Sequence, residues 1–434
     1  MSTTSIPASS PLAVKIYSEK LSVMAVRAPT LLKTLSGEMP TMEDAMRKLR
    51  QQSTNDMPVV SVTELSKGPG DTVQLNCQHV VKPRPIMGDA NAEGTGAPLT
   101  HSKQDIKINT ATLAVSAGGQ MSQQRTAIDL RRSATMQLKG IMPRFRWQRA
   151  QVQMAGARGS QDGSDWIVPQ AIDPDFAAIM VNPVAAPTYN RHWVASGATL
   201  IQGGLQANSV ITTDTMKLSM IDEFSAIWDE LTVRMQPIMI PGDPAAADDP
   251  IKGVLLVDPL VWDAIITDNT ANNNIRTFET NAMKRASYGD LRAHPLFSGS
   301  PILWNGILMR RMSTGIRFSA GDSMQYVALA NRLTGTESAT TAAAVLSTTH
   351  QLARSIFLSA QALACASGGN AQSEQTYTLL ENRTNFKQNL EFAGQIMGGE
   401  QKLRFSLPNS NGDLEATDFG VAIIDSVVRR RPVN

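Results

Sequence analysis

Two stretches, DTVQLNCQH at residues 71–79 and DIKINTATLAV at residues 105–115, decide the fold of this chain. In both, apolar side chains alternate with polar ones, as Ile106 and Ile108 do in the second stretch. Alternation with a period of two is typical of a β-strand that buries one face. The sequence therefore predicts two strands that form a ribbon.

The connector between these strands is too long and too polar to be a hairpin turn. It contains three prolines and three glycines, at Pro83, Pro85, Gly88, Gly94, Gly96 and Pro98. A ribbon of this length projects roughly 30 Å, and a two-stranded ribbon alone is only marginally stable in water. Because the flanking segments offer few apolar partners, we expect the ribbon to lie on a neighbouring copy of the chain.

Composition excludes several classes of protein. The chain has 434 residues, 42% of them hydrophobic, and a formal net charge of +2, which favours a globular protein over a dedicated nucleic-acid or membrane-surface binder. Cys77 and Cys365 are its two cysteines, so neither a disulfide scaffold nor a cysteine-based zinc finger is expected. The N-terminus lacks a signal-peptide pattern and no apolar run approaches a membrane span, so we expect a soluble cytoplasmic product.

The longest helical pattern runs from residue 122 to residue 158, and Pro143 is expected to bend or split it. This segment carries eight basic residues against the single acid Asp129, a local charge of 8 − 1 = +7: Arg125, Arg131, Arg132, Lys139, Arg144, Arg146, Arg149 and Arg158. Such a run is most often a solvated helix face. A subunit contact and a surface that faces nucleic acid are the alternatives.

Periodicity and turn signals predict the remaining elements. They are a short helix at 41–49, an irregular segment at 159–210, a helix at 213–235 with Asp214 as N-cap, a strand at 253–258 leading into a helical turn, and a loop or insertion at 335–350. The Asn305-Gly306 pair indicates a hairpin within 301–312, because these residues tolerate positive φ angles. The Ala-rich segment 352–366 fits a helix or a strand, and terminal strands are expected at 401–407 and 419–428.

The sequence offers no catalytic signature. It contains no GxSxG, HExxH, GxxxxGK[ST] or GxGxxG motif, and no two of its five histidines have metal-ligand spacing. The acids Asp243, Asp248 and Asp249 fit a solvated turn better than a cation site, since the EF-hand ligand pattern is missing. The pairs Asp222-Glu223 and Asp229-Glu230 are expected to face water. We therefore expect no cofactor, no metal and no enzymatic activity.

Several segments, taken in order, resemble one known family. They are GDTVQLNCQHV at 70–80, MGDANAEGTGAPLT at 87–100, SQQRTAIDLRRSA at 122–134, GVLLVDPLVWDAI at 253–265, HPLFSGSPILWNGILMRR at 294–311, AQALACASG at 360–368, QKLRFS at 401–406 and DFGVAIIDS at 418–426. This ordered set resembles the major capsid proteins of tailed phages, in the branch typified by the short-tailed coliphage N-four, which are built on the HK97-type fold. The similarity extends from about residue 65 to the C-terminus, and neither the first 60 residues nor 335–350 contributes to it.

The resemblance implies an α+β fold of the HK97 type and a division of the chain. Its parts would be an N-terminal arm at 1–67, an extended loop at 68–116, a peripheral domain with a spine helix at 117–237, an axial domain at 238–375, and C-terminal strands at 376–434 that return to the peripheral domain.

The resemblance also implies a function and partners. The chain would be a major capsid protein that self-assembles into hexamers and pentamers of an icosahedral phage head around double-stranded DNA. It would be a virion component assembled in the host cytoplasm, without contact with a membrane. The implied partners are further copies of the chain, portal, scaffold and decoration proteins, and packaged DNA bound without sequence preference.

The residues expected at the assembly interface lie in the ribbon, in its connector and at the start of the long helix. They are Asp71, Val73, Leu75, Gly88, Asp89, Gly94, Ile106, Ile108, Arg131 and Arg132. We expect Arg131 and Arg132 to pair with acids of a neighbouring subunit.

Three alternatives stay open at the level of sequence. A phage tail or decoration protein would share the extended arms and the missing active site. A cytoplasmic hydrolase with a non-standard site would use Asp258 and His294. A nucleic-acid-binding module would rest on the local +7 segment alone.

Overall fold

The computed structural model describes most of the chain between residues 31 and 430. The described residues are 31–37, 52–63, 70–79, 85–88, 93, 96, 99–126, 129–161, 163, 165–240, 243, 249–268, 294–297, 301–344, 346, 349–368, 377–386, 388–409 and 411–430. Their α-helices are α1 (Leu31–Leu35), α2 (Gln120–Arg125), α3 (Leu130–Ala155), α4 (Phe176–Met180), α5 (Leu218–Glu230) and α6 (Pro259–Thr267). The helix expected at 41–49 lies outside the described residues.

The strands make up most of the regular structure. They are β1 (Val59–Val62), β2 (Thr72–Gln78), β3 (His101–Lys107), β4 (Asn109–Gly119), β5 (His192–Ser196), β6 (Thr199–Gln202), β7 (Gly253–Val257), β8 (Ile302–Trp304), β9 (Ile307–Arg311), β10 (Ile316–Phe318), β11 (Ser323–Val327), β12 (Glu337–Thr341), β13 (His350–Leu358), β14 (Leu363–Ser367), β15 (Tyr377–Thr384), β16 (Asn389–Lys402), β17 (Arg404–Pro408), β18 (Leu414–Asp418) and β19 (Val421–Arg429).

Two large sheets hold the core. A five-stranded sheet has the order β1-β14-β16-β15, with β4 also paired to β16, and an eight-stranded sheet has the order β6-β5-β19-β13-β7-β9-β8, with β10 also paired to β13. Two-stranded pairs are formed by β2 with β3, β11 with β12, and β17 with β18. The described part of the chain is therefore an α+β structure, as the sequence indicates.

The long helix α3 packs along the five-stranded sheet. Its side chains Leu138 and Phe145 are buried in apolar clusters that include Phe392 and Ile396 of β16. The Asp129 carboxylate caps its start by accepting a hydrogen bond from the Arg132 amide at 3.0 Å. Burial along its length explains why this helix survives an internal proline.

The predicted single helix from 122 to 158 is wrong in its boundaries. The chain forms α2 and α3 instead, and the break falls before the Asp129 cap rather than at Pro143, which lies inside α3. The helix ends where Gly156 adopts φ = 65°, and a Cβ there would lie 2.4 Å from the Ala185 carbonyl oxygen. Glycine is needed at this position for both its backbone conformation and its small size.

The eight-stranded sheet is built around β13. This strand pairs antiparallel with β19 on one side and with β7 on the other. The strand predicted at 253–258 is confirmed as β7, all of whose residues are buried. The hairpin between β8 and β9 is also confirmed, with φ = 46° at Asn305 and 77° at Gly306.

Other boundaries differ from the sequence prediction. Helix α5 begins at Leu218 rather than 213, because the Asp214 carboxylate does not cap it and accepts hydrogen bonds from the Gly197 and Ile211 amides at 2.7 and 2.8 Å. The segment predicted as irregular, 159–210, contains α4, β5 and β6, and the expected loop 335–350 contains β12. The segment 352–366 is divided between β13 and β14. These elements are short and contain polar or small residues, so their sequence shows no clear periodic pattern.

The division of the chain into arm, extended loop, peripheral domain, axial domain and C-terminal strands stays a prediction. The eight-stranded sheet takes strands from three of the predicted parts, since β5 precedes residue 237 and β19 follows residue 375. Strands β15 and β16 belong instead to the five-stranded sheet, on which α3 packs.

Candidate assembly surface

The predicted ribbon is present, but its second strand lies earlier in the chain. Strand β2 pairs antiparallel with β3, from Thr72 opposite Lys107 to Gln78 opposite His101. The pairing starts at His101 rather than at residue 105, and the next segment, β4, pairs with β16 instead. A single residue, Ile108, separates β3 from β4, and its amide donates a hydrogen bond to the Asp71 carbonyl at 2.8 Å.

The apolar face of the ribbon is covered by its own chain. Ile106 is fully buried in a cluster with Leu403, Phe405 and Leu407, and Val73 is buried against Val60 and Val62 of β1. Leu75 and Ile108 are half-buried at the same clusters. The expectation that this face needs a neighbouring copy is therefore wrong, because β1, β14 and the β17 segment supply the partners from distant parts of the sequence.

Polar contacts fix the register of the ribbon on the body. The Gln104 side chain donates to the Lys402 carbonyl at 2.8 Å and accepts from the Arg404 amide at 2.8 Å. Its Ser102 neighbour donates to the Ser406 carbonyl at 2.6 Å. At the other end, the Asn182 side chain bonds both the amide and the carbonyl of Lys107 at 2.9 Å.

His79 joins the two ends of the connector where they leave the ribbon. Its ring nitrogens lie 2.9 Å from the Thr100 hydroxyl and 2.7 Å from the Ser102 hydroxyl. Because Ser102 donates onward to Ser406, its oxygen accepts from His79 Nε2, which leaves Nδ1 to accept from Thr100. The base of the connector is thereby tied to β17.

Beyond this base, the described part of the connector carries exposed apolar side chains. Ile86, Met87 and Leu99 are 40%, 81% and 70% exposed. Gly88 is exposed with φ = 66°, while the predicted interface residues Asp89 and Gly94 lie outside the described residues. Asp71 is exposed at the start of the ribbon. Exposed apolar side chains next to an anchored base suit contact with another molecule.

Several arginines of the basic segment form ion pairs within the chain. Arg146 and Arg149 form ion pairs with the buried Glu400 at 3.1 and 2.8 Å, and Arg144 pairs with Asp165 at 2.8 Å. The two acids lie outside the basic segment, and Glu400 is about 250 residues away, so the local charge count did not reveal these pairs. The interpretation as a solvated face fails for Arg149, which is fully buried, and for Arg146, which is half-buried.

The two arginines assigned to the interface have different environments. Arg131 forms an ion pair with Glu381 of its own chain, on β15. Arg132 is exposed, its backbone amide donates to the Asp129 cap, and its side chain forms no ion pair within the described part of the chain. A contact of Arg132 with a neighbouring subunit stays a prediction.

Two buried carboxylates organise the interior behind the ribbon. Asp425 accepts from Arg354 Nε at 2.8 Å and lies 2.8 Å from His192 Nε2. Burial opposes its ionisation, but these two partners outweigh burial and lower the pKa of Asp425. Asp418 is paired in the same way with Lys402 and Arg404 at 2.7 Å each. Burial lowers the pKa of Lys402 to about 8.

His192 is held neutral by its surroundings. Burial lowers its pKa despite the adjacent Asp425 carboxylate. Its Nδ1 atom is buried and has no hydrogen-bond partner among the residues that the structure describes. A proton on that atom would have no acceptor, which is the physical reason that the charged form is disfavoured.

Asp258, which the hydrolase alternative would use, is already engaged in structural contacts. Asp258 is fully buried, forms two bonds to the Arg317 guanidinium at 2.9 and 3.1 Å, and caps α6 through the Leu260 amide. The expectation that 222–223 and 229–230 face water holds for Asp229 and Glu230, which are exposed, and Asp229 also pairs with Lys252. Asp222 and Glu223 are half-buried instead, and their carboxylates accept hydrogen bonds from the Trp304 side chain and the Leu200 amide. Among the described residues, no cluster of His, Cys, Asp or Glu is arranged to hold a metal.

No described helix is long and apolar enough to cross a membrane. A long helix on one sheet, a second sheet with a central buried strand, and an anchored ribbon with an exposed connector define the class of HK97-type shell subunits. Comparison with known proteins identifies the family.

A family model described as "Phage capsid protein" matches residues 5–430. The chain belongs to this family, and it is a major capsid protein that forms the shell of a phage head. It is a structural protein of the virion and not an enzyme. No curated protein matches the chain. The finer assignment to the branch of coliphage N-four stays a prediction.

Solved capsid structures share the fold. The capsid of Ralstonia phage GP4 aligns over 100% of both chains with 20% identity and a TM-score of 0.71. The capsid of Cyanophage Pam1 aligns over 99% of this chain and 100% of its own with 14% identity and a TM-score of 0.61. The head of Helicobacter pylori bacteriophage KHP40 aligns over 98% of both chains with 9% identity and a TM-score of 0.55. These similarities establish the HK97-type fold.

The close approach of the ribbon to β16 can be tested at Gly399. A Cβ at this position would lie 2.0 Å from the Lys107 carbonyl oxygen, so Gly399→Ala should displace the ribbon from the body. Displacement exposes the half-buried Cys77, while Cys365 stays buried, so we expect thiol labelling at least about tenfold faster. The control is Gly398→Ala, whose Cβ would meet one backbone oxygen at 3.0 Å. Equal labelling of the two variants would contradict the docked ribbon.

The neutral His192 predicts a dependence of stability on pH. The unfolded chain binds a proton at this residue below about pH 6.5, whereas the folded chain, with its lowered pKa, binds one only at a lower pH. The free energy of unfolding should therefore decrease as the pH falls below 6.5, by up to about 1.4 kcal/mol per pH unit from this residue. Urea unfolding of the unassembled subunit between pH 5 and 7 should show a shallower slope for His192→Gln. An unchanged slope, matching that of the exposed-site control His101→Gln, would exclude this origin.

Proposed function

We propose that this capsid protein forms the hexamers and pentamers of an icosahedral head that encloses double-stranded DNA. The observation that carries the proposal is the connector between β2 and β3. Its base is anchored to the body through His79 and Ser102, and its described part presents Ile86, Met87 and Leu99 to solvent. Exposed apolar groups on a rigid base gain burial only against another molecule.

The proposed contact is between identical subunits. Each copy would place its connector on the adjacent copy, and closure of the ring and of the shell would cover every connector at once. The proposed interface consists of Ile86, Met87 and Leu99 together with Asp71, Gly88, Asp89, Gly94 and Arg132. Val73, Leu75, Ile106 and Ile108 act indirectly, because they hold the ribbon on its own subunit.

The parts of the chain follow the same proposal. Residues 1–67 would act as the N-terminal arm, 68–116 as the extended loop, 117–237 as the peripheral domain, 238–375 as the axial domain, and 376–434 as the returning C-terminal strands. Portal, scaffold and decoration proteins are the proposed partners, and assembly would take place in the host cytoplasm.

Contact with packaged DNA is proposed to be weak and independent of sequence. The arginines Arg146 and Arg149 are committed to Glu400, which reduces the basic surface left for phosphate groups. Specific recognition would also need side chains placed against base edges. A gel-shift titration with DNA fragments of differing sequence should show equal, salt-sensitive retardation, and a sequence-dependent shift at nanomolar protein would contradict this.

Replacing residues 85–99 by a short Gly-Asn turn should separate folding from assembly. The replacement keeps His79 and Thr100, and the ribbon stays docked through Ile106, so circular dichroism and gel filtration should show a folded, soluble subunit. Electron microscopy should show no closed shells. A milder variant, Ile86→Ser with Met87→Ser and Leu99→Ser, should lower the yield of shells, whereas the control Ile172→Ser, at a side chain 91% exposed elsewhere, should not. Closed shells in normal yield from the replacement would refute the proposal.

A further inference from the structure

A strained turn lies at the point where the chain leaves α4. Val181 has φ = 65° and ψ = −56°, and the Asn182 amide donates a hydrogen bond to the Met180 carbonyl at 2.7 Å. This is a γ-turn with a positive central φ, the rare and strained form, and a β-branched residue is especially disfavoured there. Val181 is half-buried and belongs to none of the apolar clusters of the described residues, so the packing of its side chain does not explain the turn.

The residues on either side of Val181 enforce the turn. Met180 is buried in an apolar cluster with side chains of α3. Asn182 is buried as well, its carbonyl accepts a hydrogen bond from the Gln153 side chain of α3 at 2.8 Å, and the following Pro183 restricts its backbone to extended conformations. The chain must therefore pass between two fixed residues within a single step. A strained conformation persists only where the surroundings determine it in this way.

Asn182 supplies hydrogen bonds that Lys107, the last residue of β3, does not make within the ribbon. The Ile108 amide bonds the Asp71 carbonyl, and because the bonds of an antiparallel ladder alternate, the backbone groups of Lys107 point away from β2. The Asn182 side chain accepts from the Lys107 amide and donates to the Lys107 carbonyl, both at 2.9 Å. Asn182 thus takes the place of a β-strand partner at the junction between β3 and β4, formed by Lys107 and Ile108.

The space around Asn182 is closely fitted to the docked junction. A Cβ at Gly399 of β16 would lie 2.0 Å from the Lys107 carbonyl oxygen and 3.0 Å from Asn182 Nδ2. The same Nδ2 atom also donates to the Glu400 carbonyl at 3.3 Å. A single side chain therefore joins the junction to β16 and, through its own carbonyl, to α3. Movement of the junction away from the body would remove two of these hydrogen bonds and, with them, contacts that hold Asn182 in position.

We infer that Val181 and Asn182 form a strained clamp on the junction between the ribbon and the body. The strain at Val181 is maintained while Asn182 binds Lys107, and it is released when the junction moves away. The clamp therefore holds the junction less firmly than its hydrogen bonds alone would. Because the ribbon carries the connector, the clamp determines how readily the connector changes direction relative to the body. The inference concerns a single subunit and does not depend on the proposed arrangement of subunits in the shell.

The grip of the clamp can be tested with Asn182→Asp. This variant keeps the shape of the side chain but places an oxygen, instead of the Nδ2 donor, against the carbonyls of Lys107 and Glu400. Hydrogen exchange of the Lys107 amide in the unassembled subunit should become at least about tenfold faster. Mass spectrometry with electron-transfer fragmentation resolves this amide, and the amides of β13 report unfolding of the whole subunit. The control Asn208→Asp makes the same change at an exposed site and should leave Lys107 exchange unchanged.

The strain can be tested with Val181→Gly, because glycine adopts a positive φ angle without cost. Removing the strain changes the opening of the junction only if opening releases that strain. We therefore expect exchange of the Lys107 amide to become at least about threefold slower than in wild type. The control Ala178→Gly, at an exposed position of α4, adds similar backbone freedom without relieving strain, so it should not slow the exchange.

Two results would overturn the inference. One is Lys107 exchange in Val181→Gly that equals or exceeds the wild-type rate, which would show that the strain persists when the junction opens. The other is equal exchange in Asn182→Asp and Asn208→Asp, which would show that Asn182 does not hold the junction. If Asn182→Asp does not fold, Val181→Gly still decides, because it relieves strain. Both results concern the unassembled subunit and would leave the proposed function standing, whereas failure of wild-type subunits to close into shells would count against that function and not against the clamp.

Discussion

The burial of one ribbon side chain, Ile106, is the interaction on which the arrangement of this subunit depends. A two-stranded ribbon cannot bury an apolar face by itself, and Ile106 is sealed only because Leu403 and Phe405 come back from the far end of the chain to cover it. That contact places the connector in a fixed position relative to the body. The same contact therefore removes the apolar face from water and positions the connector.

Buried charges support this arrangement from inside the sheets. Asp425 on β19 joins Arg354 on the adjacent β13, and Glu400 on β16 joins arginines of α3 that packs above it. Each pair connects elements far apart in sequence. Such pairs add little net stability relative to apolar contacts, but breaking one leaves an uncompensated charge, so they penalise alternative packings. A protein that must present the same surface in every copy benefits from this penalty, because it favours a single packing.

Sequence reasoning succeeded where local chemistry was decisive. The alternation in 71–79 predicted β2, the apolar run at 253–257 predicted β7, and Asn305-Gly306 predicted a hairpin. It failed where long-range partners decided the outcome. No residue close in sequence to 122–158 indicates that Arg149 pairs with Glu400 in the interior. Likewise, no residue close in sequence to the ribbon indicates that β17 covers the apolar face of the ribbon.

The candidate assembly surface was likewise only partly predictable from the sequence. The polar connector indicated an interface element, and the assigned residues Val73 and Ile106 are buried within their own subunit.

The single residue between β3 and β4 has a mechanical consequence. Because the ribbon continues through Ile108 into β4, and β4 runs along most of β16, a pull on the connector reaches the five-stranded sheet as tension along a strand. The backbone hydrogen bonds of that ladder are then loaded in shear and share the force, instead of opening one after another like a zipper. A load applied through the connector would therefore act along the direction in which this ladder resists most.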